Sequence, residues 1–386
     1  MRALEFVGTV PRFVASRAVS RWGATWGRGT QAVPNLRLVE KSEPVLPGHD
    51  WVRVRPLLSG ICGSDLSALT GHVSPSLGAF TSTPYVPGHE VVGWREDDET
   101  RVVVQPALGC RARGVEPPCP ECAEGLPALC RNTMKGDVSA GLQIGYCRET
   151  SGGWGEVLVA HRSQLHPVPD ALDDEDAVMV EPLACALHAV ATVPPEPGAV
   201  VVVIGAGTLG LMAIAAVRRL AAPEKLIAVA KHRRQVKEAR RLGADTVVDA
   251  GDLYDGLRRI LGPGRLQPEI GPPVLEYGVD YVVDAVGRGE SLETAVRIVR
   301  PRGHVVLLGM PGPARVDLSP LWQREVNLRG AYAYDDATFG DALALAPSLG
   351  LGGLVGPVYA LDEYRDAVAT ALRAGSKGHV KVAFAP

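Results

Sequence analysis

Hydrophobic positions follow two different periods along the chain. Between residues 36 and 62 polar and apolar positions alternate, in Leu36-Arg37-Leu38-Val39 and again in Trp51-Val52-Arg53-Val54-Arg55, with Pro47-Gly48 between. A period of two predicts antiparallel strands and a β-rich N-terminal region. From 106 to 153 periodicity fades and Pro, Gly and Cys dominate, which predicts loops held by something other than regular structure. At Asp173 the texture changes again. The acids Asp173 to Asp176 suit the first turn of a helix, which continues to about Val193 and stops at Pro194-Pro195. Short apolar runs then alternate with helical segments: a strand Val200 to Ile204, a helix to about Leu220, a strand Leu226 to Val229, a helix to Leu242, and strands Thr246 to Val248, Asp280 to Ala285 and Val305 to Leu308. Strands that are apolar throughout are buried on both faces, so this half predicts an α/β domain with a parallel sheet. The Gly- and Pro-rich stretch 262–273 is an extra loop within it. The tail holds helical runs at Phe339 to Leu345 and Leu361 to Arg373 and a last strand, His379 to Phe384; its packing partner is not encoded in the period.

Composition narrows the picture. With 386 residues, 46% hydrophobic and 22% charged, the chain suits two or three globular domains, not a disordered or fibrous protein. A net charge of −3 provides no field for a nucleic acid or an anionic membrane. The uncharged stretch from Pro197 to Val217 approaches bilayer length, but Gly205, Gly207, Thr208 and Gly210 interrupt it, as a strand running into a helix would. Arg12, Arg17, Arg21, Arg28 and Arg37 with Glu40 give residues 11–40 some transit-peptide character; an irregular insertion accounts for them better. Seven cysteines, four of them between 110 and 130, argue for a metal in a reducing compartment, the cytoplasm by default, over a secreted disulfide framework.

Val201-Val202-Val203-Ile204-Gly205-Ala206-Gly207-Thr208-Leu209-Gly210 is a buried strand entering G-x-G-x-x-G at a helix start. One glycine makes the tight turn, one lets backbone approach a pyrophosphate, and one lets helix pack on strand. NAD-binding versions carry an acid about 20 residues on, at the end of the second strand. Here that position is Ala230, followed by Lys231, His232, Arg233 and Arg234. Loss of the acid and arrival of three fixed positive charges predict NADP(H) in preference to NAD(H); the alternative is a solvated basic helix face running on to Arg241.

The segments Gly60-Ile61-Cys62-Gly63-Ser64-Asp65, Gly88-His89-Glu90 and Glu181-Pro182-Leu183 carry a thiol, an imidazole and carboxylates, a mixture zinc accepts. With these motifs and the nucleotide fingerprint, nearly the whole chain resembles the zinc-containing medium-chain alcohol and polyol dehydrogenases, including the sorbitol, threonine and glucose dehydrogenase branches. The resemblance implies a GroES-like catalytic domain (1–181) with a structural zinc lobe (106–131), a doubly wound Rossmann domain (182–331), and a C-terminal segment (332–386) returning to the catalytic domain. It implies a catalytic zinc on Cys62, His89 and Glu181, with Glu90 able to approach directly or through water and Asp65 orienting a ligand. Ser64 would take the proton from a substrate hydroxyl while hydride passes to the nicotinamide. Many relatives carry His five residues after the first ligand; this chain has Ser67, so the relay ends at Ser64, a ribose hydroxyl or water.

Cys110, Cys119, Cys122 and Cys130, spaced C-x8-C-x2-C-x7-C, offer four thiolates and so a closed, structural zinc site. The last three match the family lobe, whereas the first spacing is usually x2, which leaves Arg111 to Pro118 as a bulge. Cys147 and Cys185 read as small side chains and His188 as a packing residue. The expected partner is an alcohol, polyol or sugar, with no nucleic acid or membrane, and the family implies a homodimer or homotetramer. A zinc-free enoyl or quinone reductase on the same scaffold, or a non-catalytic nucleotide-binding protein, are the alternatives.

Overall fold

The computed structural model describes residues 1–21, 33–262 and 264–386. The chain forms two compact units, one of Met1–Glu181 with Tyr334–Pro386 and the other of Pro182–Ala333.

In the first unit a seven-stranded mixed sheet runs in the order Val355–Tyr359, Lys381–Phe384, Trp51–Gly60, Val91–Arg95, Arg101–Val104 and Leu165–Pro167, with Leu158–His161 also on Trp51–Gly60. The two alternating runs are strands, but they do not pair with each other. Leu36–Glu40 joins Arg2–Phe6 in a separate antiparallel ribbon, while Trp51–Gly60 is central because it is buried along most of its length. The tail enters this sheet through Lys381–Phe384, whose four residues are all buried.

The expected irregular insertion is partly regular. Val10–Arg21 is a helix with Pro11 in its first turn, where a missing N–H costs nothing. Its inward positions include Phe13, Ser16 and Val19, and the polar Ser16 in the middle hides the helical period. It backs onto the turn at Gly71, whose added Cβ would press on Phe13 and Arg17. Arg28 lies outside the described residues.

The second unit is a six-stranded, wholly parallel sheet ordered Thr246–Asp249, Lys225–Ala230, Val200–Ile204, Val279–Asp284, Val299–Leu307 and Asn327–Gly330. This is the doubly wound order, whose strand direction of travel reverses beside Val200–Ile204. Val202, Ile227, Val282 and Val305 are fully buried at its centre, each worth roughly 1.5–3 kcal/mol relative to exposure. The stretch expected as a plain loop, 262–273, contains the strand Arg265–Leu266, which pairs with Val274–Leu275 in a short antiparallel ribbon. Among the described residues no helix is long and apolar enough to cross a membrane; Pro197 to Val217 is indeed strand and helix.

The helix expected from 173 to 193 is two helices, Asp174–Ala177 and Val180–Thr192. Pro182 lacks the N–H that would continue the first into the second, so the chain restarts and Glu181 falls in a first turn.

Candidate active site and nucleotide site

The strand Trp51–Gly60 delivers Cys62 to the N-cap of the helix Gly63–Leu69. Asp65 Oδ2 accepts the Cys62 N–H at 3.0 Å, fixing the start of this helix. The other oxygen, Oδ1, lies 3.6 Å from His89 Nδ1, and both residues are buried. Ser64 Oγ is 3.5 Å from the opposite ring nitrogen, Nε2. Ligand atoms of Cys62, His89 and Glu90 lie within 4.8 Å of one another.

Glu181 stands outside that trio and is held by Tyr334, whose hydroxyl donates to Oε1 at 3.3 Å. Glu90, by contrast, has an internal partner that the sequence did not reveal: Lys381 Nζ donates to its two oxygens at 2.6 and 2.7 Å. Gly60 makes room for this carboxylate, because a Cβ there would collide with Glu90 Oε2. The geometry therefore brings Glu90 into the cluster with its charge already matched.

The side chains fit a divalent cation. Burial alone would lower the His89 imidazole, yet Asp65, Cys62 and Glu181 outweigh it and raise it well above its ordinary value. A positive charge is thus favoured among them, and a soft thiolate, an imidazole and a carboxylate are donors zinc takes. Burial raises the Asp65 carboxyl, with His89 opposing. Facing Nδ1 with a carboxylate leaves Nε2 to ligate.

The four lobe cysteines also come within 4.8 Å of one another. Backbone amides of Cys110, Cys119, Arg131 and Asn132 point at their sulfurs, at 3.3 to 3.5 Å, and Asn132 Nδ2 donates to Cys110 Sγ at 3.3 Å. Burial opposes ionisation of Cys110, but the Asn132 side chain, the Cys119 amide and the neighbouring Cys130 and Cys119 thiols bring its thiol down to about 7, whereas burial pushes Cys130 up to about 11. Cys110 eased towards its thiolate, beside Cys122 and Cys130 that burial makes costly to ionise, is a set that a cation would complete. The bulge between Cys110 and Cys119 braces the lobe from within, since its fully buried Arg113 donates to the carbonyls of Leu108, Lys135, Val138 and Ser139. Cys147 is a buried thiol directed at Glu149, and Cys185 and His188 join no metal-sized cluster among the described residues.

In the second unit Gly205 sits at φ +89, which a side chain would resist. Gly210 lets the helix Thr208–Leu220 approach, since a Cβ would strike the Gly205 carbonyl, while Gly207 faces open space. Thr208 and Leu209 open that helix. Ala230 ends its strand; Lys231 and Arg233 are exposed, His232 caps the helix Arg233–Arg241, and Arg234 pairs with Glu238 at 3.3 Å. Two of the three fixed charges are therefore presented to solvent, and one is partly spent within the helix.

Comparison with known proteins agrees with this architecture. Residues 48–170 match the family described as alcohol dehydrogenase GroES-like domain, and residues 208–348 the family described as zinc-binding dehydrogenase. D-arabinitol dehydrogenase 1 of Uromyces fabae is 27% identical, covering 90% of this chain and 93% of its own. Sorbitol dehydrogenase of Bacillus subtilis is 25% identical, covering 84% and 87%. A protein of Sinorhizobium meliloti 1021 described as a zinc-binding dehydrogenase, solved with NADP, superposes with a TM-score of 0.71 at 26% identity, covering 92% and 97%. The chain belongs to the zinc-containing medium-chain alcohol and polyol dehydrogenases, oxidoreductases that act on CH–OH donors.

Proposed function

We propose that the protein oxidises a secondary hydroxyl of a polyol or sugar, with zinc at the active centre and NADP(H) preferred over NAD(H). The observation that carries this reading is the buried convergence of Cys62, His89 and Glu90, with Asp65 behind His89 and Ser64 beside it. Polyol specificity among the relatives supports the substrate class, and the exposed Lys231 and Arg233 beside Ala230 support the 2′-phosphate.

Cys62, His89 and Glu181 would hold the ion: Lys381 balances Glu90, so thiolate and Glu181 carboxylate together match a double positive charge. When bound, zinc supplies Lewis acidity that makes a hydroxyl easier to deprotonate. Asp65, its Oδ1 3.6 Å from Nδ1, favours positive charge on the His89 ring, and Tyr334 aims Glu181. Ser64 Oγ accepts the proton of the substrate hydroxyl as it gives its own to a ribose hydroxyl or water, the acceptors left where Ser67 offers no imidazole. The Gly207 backbone and the N-terminus of the helix Thr208–Leu220 receive the pyrophosphate. Cys110, Cys119, Cys122 and Cys130 would hold a second, structural zinc that fixes residues 106–131.

The gathering of Cys110, Cys119, Cys122 and Cys130 in one metal-sized cluster supports a reducing, cytoplasmic setting. The edge strand Asn327–Gly330 is wholly exposed, and Trp322 nearby in sequence is 79% exposed, which supports a homo-oligomer. The test is a nicotinamide-linked screen of sugars, polyols and secondary alcohols on zinc-replete protein. Polyols or sugars should rank first by kcat/KM with NADP; preference for NAD, or reduction of carbon–carbon double bonds instead, would overturn the reading.

A further inference from the structure

We propose that the Tyr146 hydroxyl is a specificity group that hydrogen-bonds a second hydroxyl of the substrate, adjacent to the reacting carbon. It would thereby select vicinal diols over simple secondary alcohols. The inference rests on the dehydrogenase reading and adds to it a residue that the sequence motifs do not contain.

Tyr146 reaches the centre because of the glycine before it. Gly145, at φ +87, lies directly against the backbone of Gly88, where a Cβ would be crowded at 3.0 to 3.2 Å. The ring stacks on the His89 imidazole, centroids 5.8 Å apart at 29°, and meets Tyr85 edge-on at 5.4 Å and 61°. Its backbone is pinned on both sides, donating to Gln143 at 3.1 Å and accepting from the Ser82 amide at 3.3 Å. The ring therefore has little freedom to turn away.

The hydroxyl at the end of this fixed ring is shielded from solvent and has no hydrogen-bond partner among the described residues. Its electrostatic neighbours are Asp65, Tyr85, Ser64 and Cys62, most of them at the reaction centre; Ser64 is near without being in hydrogen-bonding geometry. A phenylalanine would keep both ring contacts without burying an unmatched polar group, so a tyrosine here is a net cost to the ligand-free protein. A ligand that brings its own hydroxyl removes that cost. A hydroxyl next to the one that meets Ser64 is the nearest substrate group able to do so, and a simple secondary alcohol has none.

The experiment compares the zinc-replete wild type with Tyr146→Phe on butane-2,3-diol and butan-2-ol, which differ by one hydroxyl. Thermal unfolding is recorded without substrate. The ratio of kcat/KM for the diol to that for the mono-alcohol should fall about 10- to 100-fold in the variant. Its Tm should equal or exceed that of the wild type. An unchanged ratio overturns the inference alone, and so does a Tm several degrees lower, because the hydroxyl would then be bonded inside the protein. A wild type that oxidises neither alcohol nor any polyol overturns the dehydrogenase reading itself, and this inference with it.

Discussion

Lys381→Met removes the only internal partner described for a buried carboxylate. Nζ lies 2.6 and 2.7 Å from the two Glu90 oxygens, and the side chains are 2% and 1% exposed. Burial opposes the Lys381 charge, but Glu90, Cys62 and Glu181 together outweigh it and hold the ammonium above its usual value. Breaking such a pair from one side leaves an uncompensated charge and costs about 3–5 kcal/mol. For a unit of this size that is roughly a 6–20 °C fall in Tm. Calorimetric unfolding of Lys381→Met, Glu90→Met and the double variant closes a cycle that isolates the coupling. The double variant should recover most of the loss, because apolar replacement of both partners removes both desolvation costs. A Lys381→Met protein within about 1 kcal/mol of the wild type, or a double variant no more stable than the single, would refute the reasoning.

Three further outcomes are expected. Replacing Lys231 and Arg233 together by alanine should lower kcat/KM for NADP by about 10- to 100-fold and that for NAD far less, as two charge-assisted contacts to a phosphate are lost; parallel losses for both cofactors would count against the assignment. Asn132→Ala should weaken zinc retention at the cysteine lobe by about 10- to 100-fold in a chelator titration, because it removes a donor to the Cys110 sulfur. Acid stability should depend on Glu5, which Arg37 and Lys41 hold below its ordinary 4.5 against the opposing effect of burial. A lowered folded value means that its contribution is complete above the unfolded value and is lost as pH falls through the folded one. Glu5→Gln should therefore flatten the decline of Tm below about pH 4.5 and leave a Tm deficit near neutrality.

The parallel strands were legible because burial on both faces leaves uninterrupted apolar runs such as Val201 to Ile204. The edge strand Asn327–Gly330 left no such mark, since all four of its residues are exposed and only Leu328 is apolar. Strand pairing was also hidden: Leu36–Glu40 and Trp51–Gly60 alternate alike, yet their partners are set by distant segments. Resemblance to the family motifs named Cys62, Ser64, His89, Glu90 and Glu181, and close spacing marked out the lobe cysteines. Neither could name Lys381, Tyr334 or Tyr146. Lys381 meets Glu90 from 291 residues away, Tyr334 meets Glu181 from 153 away, and only folding joins them. One signal was available in retrospect: a lysine opening an otherwise apolar terminal strand, Lys381-Val382-Ala383-Phe384, needs a buried acid somewhere.

Two distinct cation sites are central to this account, one built from Cys62, His89 and a glutamate, the other from the four lobe cysteines. Metal content per chain, measured by mass spectrometry on wild type and Cys62→Ser, tests this most directly. About two zinc ions should fall to about one while the variant stays folded and loses alcohol oxidation. One zinc in the wild type, or two retained in Cys62→Ser, would contradict the account.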